Sequence, residues 1–147
     1  MTPERKAEIL ARLDAMTPSE LDRVVAEIRG LPIVEVHDGD QDIDDRFPAT
    51  GMFVIWWTDN DRMEWMSDAN DDSWGVWHPS SDPQAALEML CEMHRVHALV
   101  YPNYDAGWNC QIRPMMNGPR YKSMDNTPAA LCAAVTRCWI AWKLEEE

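Results

Sequence analysis

The segment from Thr127 to Lys143, TPAALCAAVTRCWIAWK, constrains the fold more than any other. Thr127 followed by Pro128 has the composition of a helix start, with an N-cap hydroxyl and proline in the first turn. Leu131, Val135, Cys138 and Trp142 form one stripe, and Ala129, Ala133 and Ile140 occupy the opposite side. Only Thr136, Arg137 and Lys143 interrupt. A helix that is apolar nearly all round has no face to give to water, so it belongs deep in a core. Two arrangements satisfy it: burial within its own chain, or a homodimer built through this C-terminal helix.

The rest of the chain supplies material to cover it. Thr2-Pro3 and Thr17-Pro18 are two further helix starts, and Glu20 completes a capping box with Thr17. Ile9, Leu10, Leu13 and Met16 make one apolar face, and Leu21, Val24, Val25 and Ile28 make another. Gly30 is a stop signal. Residues 1–31 therefore read as a helical hairpin packed on the domain, with a docking arm as the alternative. Residues 37–48 read as a solvated loop. Gly51 to Thr58 and Arg62 to Ser67 read as a hairpin turning near Asn60, and a polar loop, DANDDS, leads to a short strand at Trp74–Trp77. Asp82-Pro83 opens a third helix, with Leu87, Leu90, Cys91 and His94 on one side and Glu88, Glu92 and Arg95 on another. Trp108, Cys110 and Ile112 then alternate with Asn109, Gln111 and Arg113, a strand with one core face and one solvent face. Arg120 to Ser123 adds another strand. The expectation is one α+β domain over residues 1–147. It has an N-terminal helical hairpin and a sheet-and-helix core over 50–145, an antiparallel Trp-rich sheet flanked by helices.

The order of helix, strands and helix, with SDP at the first cap and TPAALC opening the last helix, resembles the phage ABA-sandwich domain over residues 80–145. That resemblance implies an α/β/α-layered module from a phage or prophage. It implies no catalytic residues, because the family carries no shared ones.

Charge narrows the partners. The formal net charge is −13, and residues 35–72 alone carry −10. Such a surface repels nucleic acid and anionic lipid and attracts basic protein surfaces. No stretch approaches the roughly 18 apolar residues of a membrane span, and MTPERKAEIL lacks a signal-peptide core, so the cytoplasm of a bacterial host is the expected location. In that compartment Cys91, Cys110, Cys132 and Cys138 are expected as reduced core residues.

Candidate chemistry is sparse. Asp38, Asp40 and Asp42 alternate as in a calcium loop, but Ile43 stands where the sharp turn needs glycine and Ala49 where the bidentate glutamate belongs. Cys91, His94 and His97 share one helix, with Cys110 as the one obvious fourth donor for zinc; a core-edge His94 and a helix-end His97 explain the same residues without metal. There is no dinucleotide fingerprint, P-loop or GxSxG. No cofactor, metal or catalytic residue is expected. The tryptophans are eight, five of them between residues 56 and 77. They fill a core or anchor an interface, and Trp56-Trp57 must point to opposite sheet faces. The expected partner site therefore comprises Asp38, Asp40, Asp42, Asp44, Asp45, Trp57 and Trp65, binding a host protein with a basic surface and no nucleic acid directly. The expected function is that of a non-catalytic accessory protein, in its sharpest form an anti-CRISPR-like inhibitor of a host defence complex. The alternatives are a self-associating phage assembly factor and a small-molecule binder that stacks a base on tryptophan.

Overall fold

A computed structural model describes residues 1–67 and 73–146. Helix α1 (Pro3–Arg12) ends in a 3-10 turn, Leu13–Ala15, and α2 spans Pro18–Ile28. Thr2 Oγ1 accepts the Arg5 N–H at 3.1 Å. At α2 the capping box is complete: Thr17 Oγ1 accepts from the Glu20 N–H, and Glu20 Oε1 accepts from the Thr17 N–H. Arg5 grips both oxygens of Glu27 at 2.7 and 3.1 Å, which ties the two helices together. Ile9, Leu13, Met16, Leu21, Val24 and Val25 are buried. The hairpin is thus packed on the domain and is no free arm.

Four strands follow in one sheet: β1 (Ile33–Val36), β2 (Met52–Trp57), β3 (Arg62–Ser67) and β4 (Trp74–Val76), in that order. The β2–β3 hairpin and the short β4 fall where the alternation predicts; the DANDDS loop lies outside the described residues up to Asp72. Helix α3 (Pro83–Glu92) leads to a second sheet, a meander of β5 (Leu99–Pro102), β6 (Trp108–Gln111) and β7 (Arg120–Ser123). Helix α4 (Pro128–Glu146) closes the fold.

The α+β class, the helical hairpin and the Trp-rich sheet stand as expected. Three details differ. There are two sheets, and the first is mixed, because β1 runs parallel to β2. Strands β1 and β5 are additional to the expected ones. The sheet-and-helix core consequently begins at Ile33 rather than at residue 50. The layering also runs with the helices inside. Helix α2 packs on the first sheet through Ala26, against Val54 and Met63. Helix α4 contacts α2 and α3 on one side and β6 and β7 on the other.

That central position explains the composition of α4. Trp139, Ile140, Ala141, Cys138, Val135 and Ala134 are fully buried within this one chain. The stripe that a homodimer through α4 would need is already covered by α2, α3 and the second sheet. The polar interruptions are absorbed locally. Thr136 Oγ1–H donates to Cys132 O at 2.8 Å, and Arg137 donates to Leu13 O and Met16 O at 3.2 and 3.1 Å. Burial holds the Arg137 guanidinium below its ordinary pKa.

Helix α3 corrects another expectation. Its buried stripe is Ala86 and Met89, continued by Met93 and Val96 in the following turn, while Leu87, Cys91 and His94 face solvent. Cys91 is therefore no core residue; the other three cysteines are buried. A hydrogen bond to Cys110 and burial raise the Cys138 thiol far above its ordinary range.

Candidate functional site

Period-two alternation divides the first sheet into two chemically different faces. Val54, Trp56, Met63 and Trp65 face the helices. Phe53, Ile55 and Trp57 face outward, and register places Met66, Glu64 and Arg62 of β3, then Trp74 and Val76 of β4, on that same side. Residues 37–51 fold back over part of this outer face. Ile43 and Phe47 pack against Val34, Val36, Phe53 and Ile55, with the Phe47 and Phe53 rings 5.0 Å apart.

The loop is held by its own cation. Arg46 donates to Glu35 O at 2.8 Å and to Asp40 Oδ2 at 3.3 Å. Asp40 also accepts the His37 N–H at 2.8 Å, and these bonds, His37 foremost, keep its carboxyl below the ordinary value. The Asp38 N–H donates to the Asp59 carboxylate, and the Thr58 hydroxyl joins His37 Nδ1 at 2.7 Å. Five of the predicted site residues, Asp38, Asp40, Asp42, Asp44 and Asp45, thus lie on one short ordered loop. Asp40 braces it, and the other four stand in solvent. Beside them a cleft of about 210 Å³ is lined by His37, Asp38, Asp40, Trp57 and Asp59.

The tryptophans separate. Trp57 lies with the acidic loop, half-buried, with the Arg62 guanidinium 5.6 Å from its ring centre and itself paired to Glu64 at 3.1 Å. Trp65 is on the opposite face, packed across β4, where a Cβ on Gly75 would come within 2.7 Å of its ring nitrogen. It belongs to a second cleft with Trp77 and Met89, of about 510 Å³, and not with the five aspartates. The exposed ring is Trp74, 62% accessible, next to Val76 at 57%. Sequence reasoning passed over Trp74. The available signal was its place in Trp-Gly-Val-Trp: Trp77 turns inward to donate to Asp22 O at 2.8 Å, so its neighbours at odd spacing turn out. Elsewhere the chain covers its rings with cations, Arg23 over Trp56 at 4.7 Å and Arg95 over Trp142 at 5.2 Å.

Other arrangements support less chemistry. Among the described residues, no three His, Cys, Asp or Glu side chains come together to hold a metal. Cys91, His94 and His97 are exposed, whereas Cys110 is buried against Cys138. A cleft of about 810 Å³ contains Arg5, Arg12 and Arg23. All three are engaged in ion pairs that join elements: with Glu27 at 2.7 Å, Glu20 at 2.6 Å and Glu35 at 2.8 Å.

Among the described residues, Asp22 is a strongly perturbed carboxyl beside a cleft. It is 6% exposed and accepts the Ser80 N–H at 2.7 Å, fastening α2 to the segment before α3. Burial raises its pKa to about 6, against the Ser80 hydrogen bonds and His78, which lower it. A raised carboxyl favours the fold when protonated. The contribution is full below about pH 4, its unfolded range, and is lost as pH rises through about 6. Asp22→Asn keeps an acceptor for Ser80 and removes the charge. It should stabilise the protein at pH 7 by on the order of 2 kcal/mol. Denaturant titrations of both forms at pH 4 and pH 7 check this: their stability difference should shrink at the lower pH, and a constant difference would contradict it.

Comparison with protein-family models, curated proteins and solved structures finds no match to this chain. No helix among the described residues is long and apolar enough to cross a membrane.

Proposed function

We propose that this protein is a non-catalytic binding module whose acidic loop and Trp74–Val76 edge, on the same sheet face, engage a basic protein surface. The observation that carries this reading is the order of the loop. Four exposed aspartates sit on a segment braced by Arg46 and anchored by Ile43 and Phe47, on the same sheet face as the most exposed tryptophan. Concentrating like charge costs something by self-repulsion and adds little to stability at the surface. A preformed acidic surface instead speeds encounter with a basic partner and loses little entropy on docking. Trp74 supplies the large apolar anchor that interface hot spots use.

The sharper form of the proposal is a phage or prophage accessory protein that inhibits a host nucleic-acid-binding defence complex, in the manner of an anti-CRISPR protein. Fixed carboxylates entering a basic channel stand in for phosphates. The resemblance of residues 80–145 to a phage-encoded domain supports the source, and the charge supports the mode.

The test is affinity capture from bacterial lysate with two baits, the natural chain and a variant with Asp38, Asp42, Asp44 and Asp45 all changed to Asn. The variant should melt at the same temperature or slightly higher. It should lose the captured partner, or bind it at least about tenfold more slowly with a flatter salt dependence. Trp74→Ala should weaken the same capture without altering its salt slope. Equal capture by both baits would refute the acidic-face reading.

A further inference from the structure

We propose that the outer face of the second sheet binds the acidic face of a second copy of this chain, head to tail. Alternation in β5–β7 turns Val100, Cys110 and Tyr121 toward α4. The opposite face exposes Leu99, Arg120 and Lys122, with Tyr101 and Gln111 half-buried between them and Asn109 buried in the row that pairs Tyr101 with Lys122. This grid is fixed: the Tyr101 hydroxyl donates to Gln111 Oε1 at 3.1 Å, and Gln111 Nε2 donates to Gly118 O at 2.9 Å.

Its charge is anomalous for the chain. Among the described residues, at least eight cations hold a carboxylate of their own chain, and Arg137 donates to two backbone carbonyls. Among the described residues, Arg113, Arg120 and Lys122 have no such partner, and all three lie in β7 or in the turn before it. Exposed apolar groups accompany them: Leu99 on the grid, Met115 and Met116 in the turn. Methionines of this kind adapt to a partner surface. A partner must therefore bring carboxylates together with apolar surface. The first sheet of a second copy brings both, as four exposed aspartates with Trp74 and Val76. A polyanion such as nucleic acid brings charge without that apolar complement, and it meets the full −13 of the chain.

The helices lie between the sheets, so the two faces look outward in opposite directions. Contact between them is heterologous: a pair of copies keeps one free acidic end and one free basic end. The salt dependence follows. At roughly 0.01 M salt, screening extends about 30 Å, and the net charges of two copies repel each other. Near 0.15 M the range falls to about 8 Å, which removes that repulsion but leaves contact pairs. Association should therefore be strongest at intermediate salt and weaken above it. Self-association covers the same aspartates that the proposed basic partner needs, so partner binding should disassemble the copies.

The experiment uses two variants in sedimentation equilibrium. One has Arg113, Arg120 and Lys122 changed to Gln; the other has Asp38, Asp42, Asp44 and Asp45 changed to Asn. Cooperative unfolding curves that overlay that of the natural chain confirm that both fold. The natural chain should rise above 16.9 kDa with concentration. Each variant alone should associate at least about tenfold more weakly. An equimolar mixture of the two should form a two-chain species and nothing larger, since only one competent pair of faces remains. A natural chain that stays at 16.9 kDa, a glutamine variant that associates as the natural chain does, or a mixture that stays monomeric would each overturn the proposal. Lysate capture by the glutamine variant separates the two readings, because it keeps the acidic face intact whatever happens to self-association.

Discussion

Trp139→Ala should leave a protein close to or beyond its unfolding threshold at 37 °C. Trp139 is fully buried on α4, between the helical layer and its ion pairs. Its Nε1–H donates to Glu92 Oε2 at 2.8 Å, and the Arg29 guanidinium lies 4.6 Å from its ring centre. Truncating a buried tryptophan costs about 3–5 kcal/mol, a large part of a typical total of about 5–15. The loss extends to Glu92. Burial pushes that carboxyl up, and hydrogen bonds from Arg29 and Trp139 outweigh burial and hold it below its ordinary value. Without the indole, Glu92 keeps Arg29 at 2.6 Å and Lys143 at 3.6 Å but loses a buried donor. Trp139→Phe should cost less, about 1–3 kcal/mol, since it keeps much of the apolar volume while losing the N–H and part of the ring system. Guanidinium unfolding at pH 7 measures both. A loss below about 1 kcal/mol for the alanine variant would mean that α4 is not the centre of the core.

The second large effect belongs to a glycine. Gly107 precedes β6 with φ +84°, and a Cβ there would lie 1.8 Å from Ser123 O and 2.7 Å from Ser123 C. Both atoms are β7 backbone, so no side-chain rotation relieves the clash. Gly107→Ala must therefore part β6 from β7 or move the turn that Asn103 closes with its 2.9 Å bond to Gly107 O. With about 1–2 kcal/mol for the left-handed backbone added, the expected loss is at least about 3 kcal/mol. Gly39→Ala is the control. Its φ is +85°, but a Cβ there meets nothing within 4 Å, so it should lose only the backbone term, about 1 kcal/mol. Equal losses for the two would contradict the close approach at Gly107. Gly107→Ala should also disrupt the Asn109–Lys122 row and reduce self-association with no change in charge.

The acidic loop and the exposed aromatic edge show why part of the site was legible and part was not. Charge on a loop is visible in sequence because water leaves it where the chain puts it, so the five aspartates were identifiable together. Which tryptophan accompanies them depends on strand phase. One residue of slip moves a side chain to the other face, and β4 is three residues long, too short to reveal its phase. The phase of Trp74 was therefore not legible, whereas Trp65, on β3, pairs with Val54 and faces the helices. Helix α3 failed for a related reason: Ala86 and Met89 are apolar as well as Leu87 and Cys91, and only the packing against α4 selected the first pair.

By itself the sequence determined the local elements whose cause is local. The Thr-Pro caps and the capping box set the first two helices, the turn at Asn60 set the β2–β3 hairpin, and the apolar circumference of α4 required its burial. Tertiary structure alone decided what covers that helix. It placed the helices between two sheets, ran β1 parallel to β2, and sent the acidic and basic surfaces to opposite sides. Those choices depend on which distant residues meet, and the balance between competing buried faces settles them. Periodicity reports only that a face is apolar, and many partners could satisfy it.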